Sequence, residues 1–413
     1  MNINYTIKNN LCTGCGICEG ACPTSSISMS VKNGIFIPVL NGDSCISSNG
    51  CHRCYDTCPG IGIDLQKMAE KSFYSPEIQE DEKIGKYINC YTGHSNEYDI
   101  RYHCASGGVL SQFLIWLLEK KIIDGAVVTS FDPNFELWVN SYIAKSKEEI
   151  LAAKSSKYAP VTLNQAIDDI KKDEGKKFVI VGLPCHIHGF RKYEVLDKKF
   201  KDKILGYFGI YCSSGRSFNM TEYIFNSRSL PLQNLSYFSY RDEGCLGSMK
   251  IVYTDSLDIF KEEYTSYYKL RSIFVPHRCM FCIDHFNELS DVSFGDIHIS
   301  PYKEDKIGIN SIVSRTPFFD KLLNDAAKEN IISLNLLDKD TLIASQIMSK
   351  KKERNGTFMK VANFLGQKTP SYDYRCNDKQ KVKSIVAYFH TKIQMFVGFH
   401  KSLWFLIPLI KNK

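Results

Sequence analysis

Sixteen of the 413 residues are cysteine, and eight of these fall in two runs near the N-terminus. The first run is Cys12, Cys15, Cys18 and Cys22, with Pro23 after it, a C-x2-C-x2-C-x3-C-P spacing. That spacing suits a [4Fe–4S] cubane: three thiolates on one tight loop cap three corners, and the fourth cysteine, carried off by a helical turn, serves a neighbouring cluster. Gly14 and Gly16 are small enough to let backbone amides approach the cluster sulfurs. The second run is Cys45, Cys51, Cys54 and Cys58 before Pro59, with a longer first interval turned at Asn49 and Gly50 and the same pattern thereafter. With the fourth ligands exchanged, one cluster takes Cys12, Cys15, Cys18 and Cys58, and the other takes Cys45, Cys51, Cys54 and Cys22. Zinc or simply packed thiols are the alternatives. Zinc takes four ligands per ion and has no use for an exchanged fourth cysteine or for the proline behind it. The chemistry expected is one-electron relay between two adjacent low-potential cubanes.

The elements that must hold these loops follow from length and patterning. A chain of this length, 44% hydrophobic and 23% charged, is globular and large enough for two or three domains. It buries a core without covalent staples, so packing does not require the cysteines. The N-terminus lacks a signal-peptide layout, and no apolar run approaches the roughly 18 residues of a membrane span. The expected location is therefore the cytoplasm, where clustered thiols bind metal. The net charge of +7 is concentrated at the C-terminal end, where seven lysines and no acidic residue follow Asp378. That is not the footprint of a nucleic-acid groove.

Four regions are expected: a small α+β ferredoxin-like domain at 1–65, a polar connection at 66–100, an α/β body at 101–345, and a basic helical tail at 346–413. Within the body, apolar runs at 125–129, 178–182 and 204–210 read as strands. Val109, Phe113, Trp116 and Leu117 mark one helix face. This alternation predicts a mostly parallel or mixed sheet.

Several ordered segments carry a family resemblance. They are Ala-Ser-Gly-Gly-Val-Leu at 105–110 with Ile-Asp-Gly-Ala-Val at 123–127, Ser-Ser-Lys-Tyr at 155–158, Val-Gly-Leu-Pro-Cys-His at 181–186 and Gly-Ile-Tyr-Cys at 209–212. Arg-Cys-Met-Phe-Cys-Ile-Asp at 278–284, Asp-Val-Ser-Phe-Gly-Asp at 291–296 and the stretch 308–316 follow in order. From about 12 to 323 the chain resembles the beta subunit of coenzyme F420-reducing hydrogenase and F420-dependent dehydrogenases, fused to an N-terminal ferredoxin module. The resemblance implies FAD, a further [4Fe–4S] cluster, and hydride passage between flavin and the deazaflavin coenzyme.

The residues allow both implications to be weighed. Cys279 and Cys282 supply two ligands at loop spacing, while Cys185 and Cys212 each follow a strand-like run and so fall at one edge of a parallel sheet. Together they could close an all-thiolate site for a third cluster; structural zinc or packed cysteines are the alternatives. Ser106, Gly107 and Gly108 before a helix could cradle a flavin phosphate, or could form an N-cap with close helix packing. Lys157 and Tyr158 could meet phosphate and isoalloxazine, against an exposed charge and a core aromatic. Asp296 could hold a hydroxyl or ring nitrogen, against an ordinary turn. Cys90, Cys104, Cys245 and Cys376 lack a spacing partner and read as packing residues. His186, beside Cys185, is the best placed of five histidines (with His188, His277, His285 and His298) for proton transfer, against a structural role for each. In the tail, Val382, Ile385, Val386, Phe389, Ile393, Phe396 and Val397 form one apolar helix face, suited either to an anionic membrane or to docking on protein.

The function expected is an iron–sulfur flavoprotein oxidoreductase. It takes single electrons from a redox partner protein or another low-potential donor and passes them in pairs to a small-molecule acceptor of unnamed structure. A non-catalytic electron-transfer subunit serving a separate enzyme is the main alternative, and a redox-sensing scaffold at a membrane is the third.

Overall fold

The computed structural model describes residues 1–132, 139–255, 259–374 and 377–411; Cys376, read above as a packing residue, lies outside them. Eight strands build the central sheet: β1 (Asn89–Ser95), β2 (Gly125–Phe131), β3 (Val139–Ala144), β4 (Phe178–Gly182), β5 (Ile204–Ile210), β6 (Val292–Asp296), β7 (Asn310–Ser314) and β8 (Ile332–Leu336). In space they run β8-β1-β7-β6-β5-β4-β2-β3. Four adjacent strands, β6, β5, β4 and β2, are mutually parallel. Every other pairing is antiparallel, so the sheet is mixed and its parallel character is confined to the centre. β4 and β5 follow the apolar runs expected at 178–182 and 204–210, whereas β2 extends two residues past the expected 129 and β6, with Ser293 and Asp296 in it, was not expected as a strand.

Neighbouring side chains on these strands point to opposite faces. Val128, Val179 and Phe208 enter one apolar core, with Phe113, Trp116 and Leu117 of the helix Val109–Glu119. Val127, Phe178, Ile180 and Tyr207 enter the other, with Ile187 and Phe190 of the helix Pro184–Glu194. That second core also takes Cys15, Ile17 and Ala21, so the N-terminal region covers one face of the sheet.

The N-terminal region holds an antiparallel hairpin, Ile27–Lys32 against Ile35–Leu40, and single helical turns at Ile17–Gly20 and Arg53–Asp56. It docks by backbone as well as by packing. The Leu163 amide donates to the Cys15 carbonyl at 2.9 Å. A Cβ on Gly20 would stand 2.8 Å from that of Ile167. From the body, Lys192 Nζ reaches the Cys58 and Gly62 carbonyls at 2.7 and 3.2 Å.

The structure redraws two of the expected regions. Segment 66–100 is more than a connection, because its end is β1, an inner strand between β7 and β8. Its polar composition hid this: Thr92 and Ser95 are buried, the Ser95 hydroxyl bonding to Gln112 Oε1 and the Glu97 carbonyl. Segment 346–413 is also integral. Ser371–Tyr372 pairs with Gly62–Ile63, and the helix Lys351–Phe364 brings Lys351 and Asn355 inside.

Candidate functional site

The N-terminal cysteines fall into two groups. Cys22, Cys45, Cys51 and Cys54 line one small cavity with Pro23 and Ile27. Cys58 instead lies beside Cys12, Cys15 and Cys18, near enough that their charges act on one another. The fold thus sets Cys58 beside Cys12, Cys15 and Cys18, and Cys22 beside Cys45, Cys51 and Cys54. Backbone amides approach the sulfurs as well, Gly14 N to Cys12 Sγ and Ser26 N to Cys22 Sγ, each at 3.3 Å.

The four body cysteines also converge. Cys185 begins the helix after β4, Cys212 follows the adjacent parallel strand β5, and Cys279 and Cys282 come from the turn His277–Phe281 and its end. All four line a single larger cavity, and Cys12 of the N-terminal region lines it too. Burial pushes the Cys185 thiol well up, and the charges of Cys15, Cys212, Cys279 and Cys282 push it further. Burial likewise takes Cys212 to about 12. Burial thus favours the neutral thiols, and only a cationic centre beside them would draw off their protons. Tetrahedral zinc needs its sulfurs about 3.8 Å apart. Among the described residues no three cysteine, histidine or carboxylate side chains close on one ion in that way. Four thiols brought to one cavity match the all-cysteine donor set that a [4Fe–4S] cluster uses. None of the fifteen described cysteines is in a disulfide.

Basic residues frame this cavity, and spacing did not reveal them. Lys351 Nζ stands 3.5 Å from Cys282 Sγ and donates to the Cys212 and Asp284 carbonyls at 2.8 and 2.6 Å. Burial opposes its charge, but the thiols of Cys282 and Cys212 outweigh burial and hold its pKa above the ordinary lysine value. Asn355, one turn on, donates to the Cys282 carbonyl at 2.7 Å. Arg278 spans to the N-terminal region, donating to the Gly60 and Pro59 carbonyls at 2.8 and 3.0 Å and to Tyr372 Oη at 2.8 Å. Arg216 lines the cavity, and burial lowers its pKa to about 10. The missed signal was the period 351, 355, 358, 362, the buried face of a helix that begins in a lysine run.

The residues read as a flavin cradle gather around another missed residue, Arg241. Its guanidinium donates to Asp296 at 2.7 Å, to the Leu246 carbonyl at 2.7 Å and to the Ala105 carbonyl, and lies 5.1 Å from the Tyr264 ring centre. Tyr158 stacks on Tyr264 at 5.7 Å, and Tyr264 in turn is close enough to affect Arg216. The cradle therefore neighbours the cysteine cavity. Its polar groups are engaged within the protein. Ser106 Oγ donates to the Ile309 carbonyl at 2.9 Å, and the Val109 amide donates to Asn310 Oδ1 at 3.1 Å. A Cβ on Gly107 would stand 2.7 Å from the Gly93 carbonyl oxygen. Burial lowers Lys157 to about 7, yet its donors meet three carbonyls, those of Ala153, of Lys154 at 2.7 Å and of Ser155 at 3.1 Å.

His186 and His188 are held by bonds within the protein. His186 accepts from the Leu183 amide at 3.2 Å and bonds the Val161 carbonyl at 3.1 Å, and burial lowers it to about 4. His188 pairs with buried Asp284 at 2.8 Å. Cys90 and Cys104 are buried; Cys245 is half-buried, 3.9 Å from Arg241.

Residues 90–168 and 175–340 match the N-terminal and C-terminal halves of the coenzyme F420 hydrogenase/dehydrogenase beta subunit, and residues 11–63 match a 4Fe-4S dicluster domain. The chain belongs to the coenzyme F420 hydrogenase/dehydrogenase beta-subunit family. This family member is 26% identical over 310 residues to the coenzyme F420 hydrogenase subunit beta of Methanothermobacter thermautotrophicus, covering 70% of this chain and 99% of that one. It is 23% identical over 367 residues to the coenzyme F420-dependent sulfite reductase of Methanocaldococcus jannaschii, covering 85% of this chain and 52% of the reductase, so the chain spans about half of that relative. Its first region is 40% identical over 55 residues to ferredoxin-1 of Rhodobacter capsulatus, which is 13% of this chain and 78% of the ferredoxin. The fold is shared with a chain of the F420-reducing [NiFe] hydrogenase complex from Methanosarcina barkeri, at a TM-score of 0.56 and 19% identity over 72% of this chain and all of that one.

Proposed function

We propose that the chain is an iron–sulfur flavoprotein oxidoreductase. Single electrons from a protein or other low-potential donor pass over three [4Fe–4S] sites toward a flavin, and leave in pairs to an organic acceptor, of the F420 type or another. The sites are Cys22 with Cys45, Cys51 and Cys54; Cys58 with Cys12, Cys15 and Cys18; and Cys185 with Cys212, Cys279 and Cys282. The observation carrying this reading is that Cys12 lines the same cavity as the four body cysteines, so the second and third sites adjoin. A flavin supplies the change from one-electron to two-electron chemistry. The protein's part is to hold the sites in sequence. Lys192 and Arg278 fasten the Cys58 loop to the body. Lys351 sets positive charge against the third site, and Arg241 with Asp296 orders the region beyond Arg216 and Tyr264.

One observation favours the second reading, an electron-transfer subunit that holds clusters and hands electrons to a separate enzyme. The groups of Ser106, Val109 and Lys157 already bond within the protein, so a flavin phosphate has to displace them. Anaerobic purification with iron, sulfide and flavin measured together decides between the two. About 12 irons with one flavin supports the oxidoreductase, about 12 without flavin supports the subunit, and about 8 removes the third site. Zinc in place of iron defeats both.

A further inference from the structure

The apolar stripe expected along the tail helix faces away from the protein. Val382, Ile385, Val386, Phe389, Ile393 and Phe396 are all exposed, from 39% for Ile385 to 78% for Val382. Their three- and four-residue spacing sets them on one side of the helix Lys381–Phe399. At 1.5 Å per residue the stripe runs for about 21 Å. Val397, expected on the same face, is buried.

The helix is nonetheless firmly seated. Ser384, Tyr388, Gln394, Met395, Val397 and Gly398 are buried on its inner side. The Gly398 carbonyl accepts from Asn219 and Trp404 at 3.3 and 3.1 Å. An ordinary surface helix turns its greasy side inward; this one presents valine, isoleucine and phenylalanine to the outside. A contiguous apolar surface of that kind marks a partner or a membrane.

We propose that this helix lies in the interface of an anionic lipid bilayer. From Lys379 to Lys411 there is no aspartate or glutamate, and Lys379, Lys381, Lys383, Lys401 and Lys411 are exposed; among the described residues only Lys401 of these is ion-paired, with Glu222. The stripe carries no hydrogen-bonding side chain to set register against a protein groove, whereas a bilayer asks only for apolar area and positive charge. Among the described residues no helix is long and apolar enough to cross a membrane, so the helix lies along the surface. On its inner side Tyr388 and Met395 share an apolar cluster with Leu11, next to Cys12, and with Phe281, between Cys279 and Cys282. A bilayer on the stripe therefore comes within about one helix diameter, ~10 Å, of the thiol-bearing loops.

The test is co-sedimentation of the full chain, purified anaerobically, with vesicles of phosphatidylcholine alone or with phosphatidylglycerol added. Binding to the anionic vesicles, weakened by high salt, is expected. Replacing Phe389, Ile393 and Phe396 together by serine abolishes it, and replacing Lys379, Lys381 and Lys383 together by glutamine lowers partition about a hundredfold. Iron content and molar mass, measured on the same samples, show that the variants remain folded. Equal binding to neutral and anionic vesicles, or no binding to either, overturns the proposal. So does a wild-type dimer that binds no vesicle and that the triple serine variant splits, since the stripe is then a protein interface.

Discussion

Replacing Lys351 by methionine removes one buried positive charge beside the third cysteine group while keeping most of the side-chain volume. The ammonium stands 3.5 Å from Cys282 Sγ, and its own backbone acceptors are the Cys212 and Asp284 carbonyls. Charge delocalised over an iron–sulfur core acts from about twice that distance, so at an effective dielectric of about 20 the interaction is worth about 2 kcal/mol. For a one-electron couple this is about 100 mV. Lys351 stabilises the more negative, reduced state, so Lys351→Met lowers the potential of that site by about this much, and Lys351→Arg, which keeps the charge, leaves it within about 30 mV. The assay is a redox titration of anaerobically purified protein followed by electron paramagnetic resonance, with iron quantified in each variant. A shift below about 20 mV, or one toward higher potential, with iron retained, refutes the electrostatic reasoning.

Three further outcomes are expected. Cys282→Ser takes the iron content from about 12 to about 8 per chain and spares the N-terminal sites; an unchanged count places no iron at Cys282. Arg278→Met strips the charged donors from the Gly60 and Pro59 carbonyls. It costs about 3 kcal/mol of docking for the N-terminal region, seen as faster amide exchange over 55–63, and unaltered exchange there counts against the strap. Asp197 feels burial, which raises its carboxyl, but bonds from Lys171, the Phe200 amide and Tyr193 outweigh this and hold it at about 2. Its folded pKa is depressed, so its contribution is present above about pH 4 and disappears as pH falls toward 2. For this partly exposed group the effect is about 1 kcal/mol. Urea unfolding midpoints of Asp197→Asn are thus expected to depend less on pH across that window than those of the wild type, and equal slopes contradict it.

The strands Phe178–Gly182 and Ile204–Ile210 were legible to the residue because double burial forces unbroken apolar runs. The strand Asn89–Ser95 was not, since its buried Thr92 and Ser95 are polar and break any apolar period. The C-terminal region failed for a related reason. A lysine run ordinarily means a solvated face, and Lys351 is buried where a thiol and carbonyls from distant segments surround it.

Sequence alone determined the cysteine chemistry, because ligand spacing on one short loop is a local property and the fold had only to respect it. It also determined that Cys185 and Cys212 end on one edge, since both follow parallel strands. What tertiary structure decided was the company those loops keep. That Cys12 shares a cavity with four cysteines of the body, that Arg216, Arg278 and Lys351 supply the charge around them, and that the tail helix turns its apolar side outward all depend on contacts between segments far apart in the chain. No local pattern encodes such contacts, because they arise only when separate apolar faces are buried together.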